Sequence, residues 1–330
     1  MISLFNVKNP SVILLIFLYV VAFNLVLFID PFFFSIPQPQ APFSQLFFYI
    51  TDSLFGNNHY ALAIIAIILL FVQSLMINNL VNSTKLFAST TFVPAIIYIT
   101  TACLFREFLF LSSAMLSLMF IIPALGMSLR FFRRQRSTTE IFDMGFLIGI
   151  AALFYRPASI LVILLFVALS AMRSFNWREW VIGLSGFLTI FFLTGTFYFM
   201  IDKLPTFLGE YILAPTLIPR NNFASSLSLA LIIGSTGILG LVATATFTFN
   251  YLKSSVLARK FLVLLAWMFV LMALSSLFAG KLSLHYFVIL SVPLSIVISY
   301  LFVNIRRVRI ANIIHFLWVA IALFFQYYKG

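Results

Sequence analysis

The sequence predicts an all-α fold, a polytopic bundle of about 11 transmembrane helices. Hydrophobic residues make up 63% of the 330 residues, only 8% are charged, and the mean hydropathy is +1.14. Apolar runs of roughly twenty residues, the length that a helix needs to cross a bilayer, recur from end to end. These runs lack the alternation of barrel strands, and lipid offers open backbone groups no partner, so helices are expected.

The chain is predicted to form a single integral membrane domain over residues 1–330. No linker or change of composition divides it into soluble parts, and the first apolar run lacks a small-residue cleavage site, so we expect it to be retained as a span. The predicted spans are 11–29, 60–80, 88–105, 108–129, 141–155, 157–172, 180–201, 225–249, 261–279, 286–304 and 311–327.

Two of these spans, 141–155 and 157–172, are short and meet at Arg156 and Pro157. From Asp143 to Arg156 a helix rises about 20 Å, whereas the hydrocarbon core is about 30 Å thick. Proline is favoured at a first helical position. The pattern predicts a turn below the outer surface, whether the pair crosses fully or is re-entrant, with Arg156 facing a wet cavity or reaching outward.

The helix that leads to this turn has a predicted start signal. Ser137 and Glu140 have the spacing of a capping box, in which the serine hydroxyl accepts a hydrogen bond from the first helical turn. We therefore expect the Ser137 side chain to cap this helix.

Two long outer loops are predicted, at 30–60 and 202–224. In the first, the segment "FSQLFFYITDSLF" has apolar residues at helical spacing, which predicts an amphipathic helix on the membrane surface. The second, "DKLPTFLGEYILAPTLIPRNNFA", predicts a short helix followed by an extended arm. The apolar positions of the first segment are Phe43, Leu46, Phe47, Ile50, Leu54 and Phe55.

Lysine and arginine predict the orientation. With a cytoplasmic N-terminus and a periplasmic C-terminus, most of the 20 basic residues fall in cytoplasmic loops, as the positive-inside rule requires. The setting predicted is the bacterial inner membrane. The cytoplasmic residues are Lys8, Lys85, Arg130, Arg133, Arg134, Arg136, Arg173, Arg178, Lys253, Arg259, Lys260, Arg306, Arg307 and Arg309.

The net charge of +12 does not indicate a nucleic-acid partner, because the basic residues lie in short loops between apolar spans. The single cysteine, Cys103, excludes a disulfide framework, and three scattered histidines do not suggest a metal site. Membrane lipid is the expected partner, with other envelope subunits as an alternative.

The residues that could carry out chemistry are predicted to lie where the helices leave the bilayer on its outer face. Sugar transfer from a lipid phosphate needs a base for the acceptor and a cation for the phosphate. Asp30 ends the first span and Asp52 lies on the predicted surface helix, so each is a candidate base. Each of these charges also fits a plain role in marking where helices leave the lipid. The candidate phosphate-binding residues are Arg156, Arg220, Lys281 and His285, and Tyr211 is a further substrate-binding candidate.

The stretch "GFLIGIAALFYRPASILVILLFVALSAMRSFNWREWVIGLSGFL" resembles a segment of the GT-C glycosyltransferases that use polyprenyl-phosphate sugars. It has a glycine-bearing short helix, a basic residue beside proline, a second apolar helix and a basic turn in the same order. The stretch "HYFVILSVPLSIVISYLFV" is similar to a late helix of those enzymes. The resemblance implies a GT-C-like fold and a polyprenyl-phosphate-linked sugar as donor.

Those enzymes carry an Asp-Glu pair after the first span, whereas this chain reads "FIDPFFF". Pro31 stands where the glutamate would be, so only Asp30 is carried over as a candidate base. The whole chain, with its opening "MISLFNVKNPSVILLIFLY", also resembles a family of Bacteroidota inner-membrane proteins; that likeness implies a fold and a setting and no activity.

Two functional hypotheses follow; a transporter is a third option, against which the spans show no obvious inverted repeats and no buried acidic residue for ion coupling. In the first, a GT-C-like glycosyltransferase or polyprenyl-phosphate-sugar-binding protein acts at the outer face of the inner membrane in envelope glycan assembly. In the second, the chain is a non-catalytic scaffold or accessory subunit of an envelope-assembly or secretion complex, which Pro31 and the scarcity of paired acids favour.

Overall fold

In the computed structural model, all regular secondary structure among the described residues is helical. The structure describes residues 11–29, 41–56, 58–84, 86–87, 90–133, 137–212, 238, 255–277, 284–305 and 307–327.

Eleven labelled α-helices organise these ranges, and shorter helical turns connect several of them. They are α1 (Ser11–Phe23, continued by Val26–Ile29), α2 (Pro42–Phe55), α3 (His59–Thr84), α4 (Val93–Ala102), α5 (Ser113–Arg133), α6 (Thr138–Phe154), α7 (Val162–Met172), α8 (Trp177–Met200), α9 (Val256–Leu277), α10 (Ser291–Asn304) and α11 (Val308–Tyr327).

Six helices within the described residues are long and apolar enough to cross a membrane. Their apolar side chains are only partly covered by protein, and on α8 just 17% of the apolar window is buried, as expected for helices whose other faces meet lipid. The six are Ser11–Ile29, His59–Thr84, Ser113–Phe132, Trp177–Met200, Val256–Leu274 and Phe287–Asn304.

The predicted span 88–105 is wrong in extent, because α4 covers only Val93–Ala102. Ahead of it, the Asn82 side chain binds the backbone of Thr91 twice, donating to its carbonyl at 3.1 Å and accepting from its amide at 3.2 Å. These bonds tie the chain to the end of α3, and the helix begins beside Pro94, at a position that suits proline. The predicted span 225–249 lies outside the described residues except for residue 238.

Polar side chains link α1, α4 and α11 inside the bundle. The Tyr19 hydroxyl lies 3.0 Å from Thr100 Oγ1 and 3.3 Å from Nε2 of the buried His315. Tyr98 of α4 donates to Gln73 of α3 at 2.8 Å. Hydrogen bonds between helices supply part of the attraction that the hydrophobic effect cannot supply in lipid.

Helices α6 and α8 pack with their backbones in close contact. A Cβ atom added at Gly145 of α6 would lie less than 3.0 Å from the Gly183 carbonyl oxygen of α8, and one added at Gly186 equally close to the Phe142 carbonyl oxygen. Only glycine fits this contact. Small residues at such interfaces let membrane helices approach closely and gain dispersion energy.

The Ser137 hydroxyl does not cap α6, so this prediction is wrong. It accepts a hydrogen bond from the Arg173 guanidinium instead. Arg173 also donates to the Phe131 carbonyl at 3.2 Å and pairs with Glu179 at 3.1 Å. A guanidinium carries five donors in a planar fork, so this one side chain connects the end of α5, the start of α6 and the first turn of α8.

Replacing Arg173 with methionine is expected to lower the free energy of unfolding by about 2 kcal/mol, because hydrogen bonds to a charged group and the ion pair with Glu179 are lost. Arg178→Met is the matched control, since Arg178 is exposed in the first turn of α8 and should change stability by less than about 0.5 kcal/mol. The unfolding midpoint of each variant is measured by heating the protein in detergent and following the loss of the monodisperse peak in size-exclusion chromatography. Equal midpoints for the two variants would contradict the prediction.

The two ends of the bundle are named from the residues beside the two ends of helix α6. Its first turn adjoins Arg173, and its last residue, Phe154, precedes Arg156. The 17 residues of α6 span about 25 Å. We call these the Arg173 end and the Arg156 end.

Candidate functional site

A cavity of about 560 Å³ lies at the Arg156 end of the bundle. Helices α6, α7 and α8 form its walls, together with the 3₁₀ turn Arg156–Leu161, the start of α2 and the end of the outer-loop helix 204–212. Apart from one arginine, one serine and one tyrosine, the described lining residues are apolar. The lining residues are Ala41, Pro42, Ala152, Leu153, Arg156, Pro157, Ser159, Ile160, Val162, Ile163, Phe187, Leu188, Phe191, Tyr211 and Ile212.

The break between α6 and the 3₁₀ turn follows from Pro157. Proline cannot continue a helix from its interior, and it disfavours helical backbone at the residue before it. Helix α6 therefore ends at Phe154, Tyr155 is extended, and the Ala158 amide donates to the Tyr155 carbonyl at 2.8 Å. The predicted turn between two short helices is confirmed, and it places Arg156 at the cavity.

Arg156 is half-buried at the cavity wall. Its Nη2 atom donates to the Ile212 carbonyl at 3.5 Å, which is a long bond, and the guanidinium carries five donors in all. A half-buried guanidinium avoids the large cost of a charge in the bilayer centre. The arginine is thus placed to meet an anion that enters the cavity.

The outer-loop helix begins after a sharp turn at the end of α8. Asp202 has a φ of 57°, in the left-handed region that Asp tolerates better than most residues. The Lys203 amide then returns to the Tyr198 carbonyl at 2.9 Å, and this closure of the α8 end fixes where the next helical segment starts.

Phe207 anchors the outer-loop helix, Leu204–Thr206 and Phe207–Ile212. Its ring is buried against Leu153 and Ile190, and it stacks on Tyr198 at 5.1 Å between ring centroids. Tyr211 follows one turn later at the cavity, and its hydroxyl hydrogen-bonds to the Gln45 side chain of α2. The short helix predicted in this loop is confirmed, whereas the predicted arm lies outside the described residues.

Helix α2 is present as predicted, but its buried face differs from its apolar stripe. Ser44, Phe48 and Thr51 are buried, whereas Leu46 and Ile50 are exposed. Phe43 packs edge-on against Phe154 of α6, with the ring centroids 5.6 Å apart, and so holds the start of α2 against the cavity.

The structure brings two of the predicted site residues, Arg156 and Tyr211, into one cavity. Asp52 is exposed and does not line it; it lies about 15 Å along α2 from Pro42 at the cavity wall. Asp30, Arg220 and Lys281 are outside the described residues, and of His285 only the backbone is described, in the 3₁₀ turn Leu284–Leu290.

Sequence reasoning missed the aromatic wall formed by Phe187 and Phe191 of α8, whose ring centroids lie 5.0 Å apart. The glycines of α8, such as Gly183 one turn before Phe187, could have indicated this wall. They mark the face of α8 that packs closely on α6, and this packing determines which α8 residues line the cavity. Phe191 follows Phe187 by four residues and so lies on the same helix face.

This arrangement suits an amphiphilic anion. A guanidinium matches phosphate oxygens in geometry and charge, and the apolar walls favour a hydrocarbon chain over water. Among the described lining residues there is no carboxylate. Comparisons of the chain with protein-family models, curated proteins and solved structures found no match.

Proposed function

We propose that this chain is a GT-C-like membrane protein that binds a polyprenyl-phosphate-linked sugar at the outer face of the inner membrane, in the assembly of envelope glycans. One observation carries the proposal, the cavity that combines the Arg156 guanidinium with a long apolar wall. Arg156 binds the phosphate, Tyr211 lies beside it at the outer-loop helix, and the isoprenoid chain lies along Ile160, Phe187 and Phe191.

The orientation of the chain supports this location. The positive-inside rule places Arg173, Arg178 and Lys260 in the cytoplasm, which puts the opposite end, with Arg156, at the periplasmic surface. A polyprenyl-linked sugar presented there has its chain in the outer half of the bilayer and its phosphate at the interface, at the depth of the guanidinium.

The test is binding of polyprenyl phosphate to the purified chain in nanodiscs. Arg156→Gln is expected to weaken binding about tenfold, because hydrogen bonds between charged groups contribute roughly 1.5–3 kcal/mol. Arg156→Lys should retain part of the affinity, since the charge remains without the planar fork. Arg178→Gln is the control.

A neutral polyprenol in place of the phosphate makes the same test from the ligand side. The wild-type chain should bind it about tenfold less tightly than the phosphate, and Arg156→Gln should bind both ligands equally. An Arg156→Gln variant that keeps full preference for the phosphate would overturn the proposal.

In the proposed reaction the acceptor hydroxyl bonds to the anomeric carbon of the sugar and gives its proton to Asp30, or to Asp52 as the alternate. The bond from that carbon to the phosphate oxygen breaks, and polyprenyl phosphate leaves. Asp30 comes directly after Ile29, the last residue of the first span, at the outer end of that span in the proposed orientation. Glycolipid turnover in membranes that carry Asp30→Asn or Asp52→Asn tests this step. Products unchanged from wild type in both variants would rule out Asp30 and Asp52 as the base.

The alternative is a non-catalytic scaffold or accessory subunit of an envelope-assembly or secretion complex. The largely uncovered apolar surface of α8 favours it. Purification in mild detergent separates the two: a stable protein complex whose formation is indifferent to Arg156→Gln supports the scaffold.

A further inference from the structure

A second groove lies between α3 and α5, near the end of the bundle opposite to the Arg156 cavity. Its volume is about 280 Å³, and apolar side chains from both helices, including Met76 and Ile122, form most of its walls. Its polar residues are gathered in the final two turns of α3 and the last turn of α5: Asn79, Ser83 and Arg130.

Two residues of α5 shape the groove. Gly126 has no side chain, and a Cβ atom added there would have as its nearest neighbour Leu80 Cδ1 at 3.7 Å, so the floor is open beside it. Pro123, one turn earlier, also lines the groove inside the helix. From Arg130 to Pro123 the groove follows α5 for about 10 Å, which accommodates the first methylenes of an acyl chain.

The mouth of the groove carries a cation. Arg130, Asn79 and Ser83 are exposed, and within the described residues the Arg130 and Asn79 side chains have no hydrogen-bond or ion-pair partner. Lys260 adds positive charge at the same end, with its ammonium 5.1 Å from the centroid of the Phe132 ring. Arginine and an amide at headgroup depth match a phosphodiester.

We propose that this groove binds an anionic phospholipid of the cytoplasmic leaflet. Arg130 holds the phosphate, the Asn79 amide and Ser83 hydroxyl contact the headgroup, and one acyl chain follows Gly126 and Pro123 toward the bilayer centre. The charge selects an anionic headgroup, because a basic side chain at the surface of an anionic leaflet gains attraction that a zwitterionic leaflet does not give. The site is separate from the Arg156 cavity and does not depend on the function proposed for it.

The experiment uses the full chain in phosphatidylcholine nanodiscs that contain a minor fraction of phosphatidylglycerol, with retained lipid identified by native mass spectrometry. The wild-type chain is expected to enrich phosphatidylglycerol. Arg130→Gln should reduce that enrichment about tenfold, and Arg309→Gln, which removes an exposed charge of the same kind outside the groove, should leave it unchanged.

Two further arms decide between a groove and diffuse charge. Gly126→Phe fills the floor of the groove without changing the charge and should also lower retention of phosphatidylglycerol. Every variant is compared in the Arg156→Gln background, so that lipid bound in the Arg156 cavity does not contribute. Equal loss in Arg309→Gln and Arg130→Gln would overturn the proposal, as would full retention in a folded Gly126→Phe.

Discussion

Replacing Gly145 or Gly186 with alanine is expected to destabilise the protein by about 3 kcal/mol, the upper range for inserting a methyl group into a packed interface. Each new Cβ atom would lie under 3.0 Å from a backbone oxygen of the other helix, from Gly183 or Phe142. A backbone oxygen cannot rotate away as a side chain can, so α6 and α8 must separate along their contact.

The matched control is Gly195→Ala, on the same helix as Gly186. A Cβ atom there meets the Phe207 ring at an ordinary 3.6 Å. Because alanine in a helix interior is favoured over glycine by roughly 0.5–1 kcal/mol, this variant should be neutral or more stable than wild type. Thermal unfolding of the three variants in detergent measures the difference, and a Gly186→Ala midpoint at or above that of Gly195→Ala would contradict the close contact.

The same substitutions are expected to reach the candidate site. Leu153 of α6 and Phe187 of α8 both line the cavity. Gly149 lies between Gly145 and Leu153 on α6, and a Cβ atom added there would lie 2.9 Å from the Phe187 carbonyl oxygen. Separating the two helices widens this wall, so Gly186→Ala should lose lipid-phosphate affinity in material that remains folded. Gly195→Ala should not.

The sequence could predict the helical segments and the turn at Arg156, because these depend on local signals. Pro157 ends one helix and starts the next whatever packs around it. The extent of α4 could not be predicted, since the bonds between Asn82 and Thr91 that set where it begins join two segments.

The buried face of α2 shows why packing is harder to predict in a membrane protein. In water, an apolar stripe marks the face that meets the core. Beside lipid, apolar side chains such as Leu46 and Leu54 remain exposed, whereas Ser44 and Thr51 face the protein. Apolar spacing therefore predicts that a helix exists, and small or polar residues tell which of its faces is covered.

Some residues of the candidate site were predictable from the sequence, and others were not. Arg156 was predictable because a charge is rare in an apolar run, and Tyr211 because it lies in a polar loop. Phe187 and Phe191 were not, because they are two of 42 phenylalanines spread through the apolar runs of the chain. Only the contact of α6 with α8 distinguishes these two rings from the others.

Replacing Ser159 with tryptophan is expected to reduce polyprenyl phosphate binding more than tenfold while leaving stability unchanged. Ser159 is exposed and lines the cavity beside Arg156. An indole there takes space in the cavity of about 560 Å³ that the proposed isoprenoid chain would enter, and a ligand excluded by volume loses its apolar contacts together with its phosphate bond.

Ser170→Trp is the control, because Ser170 is also an exposed serine but lies near the other end of α7 and outside the cavity. It should bind polyprenyl phosphate as wild type does. If both tryptophan variants bind equally well, the ligand does not occupy this cavity. Free inorganic phosphate should compete poorly in every variant, since it gains nothing from the apolar wall.

The double variant Arg156→Gln, Ser159→Trp distinguishes one ligand from two. If the guanidinium and the cavity hold the same molecule, the indole already abolishes what the guanidinium contributes, and the losses must be less than additive. Additive losses would mean that the anion and the chain bind at separate places. Losses that are less than additive would therefore support a single amphiphilic ligand as the reason that Arg156 lies in an apolar stretch of sequence.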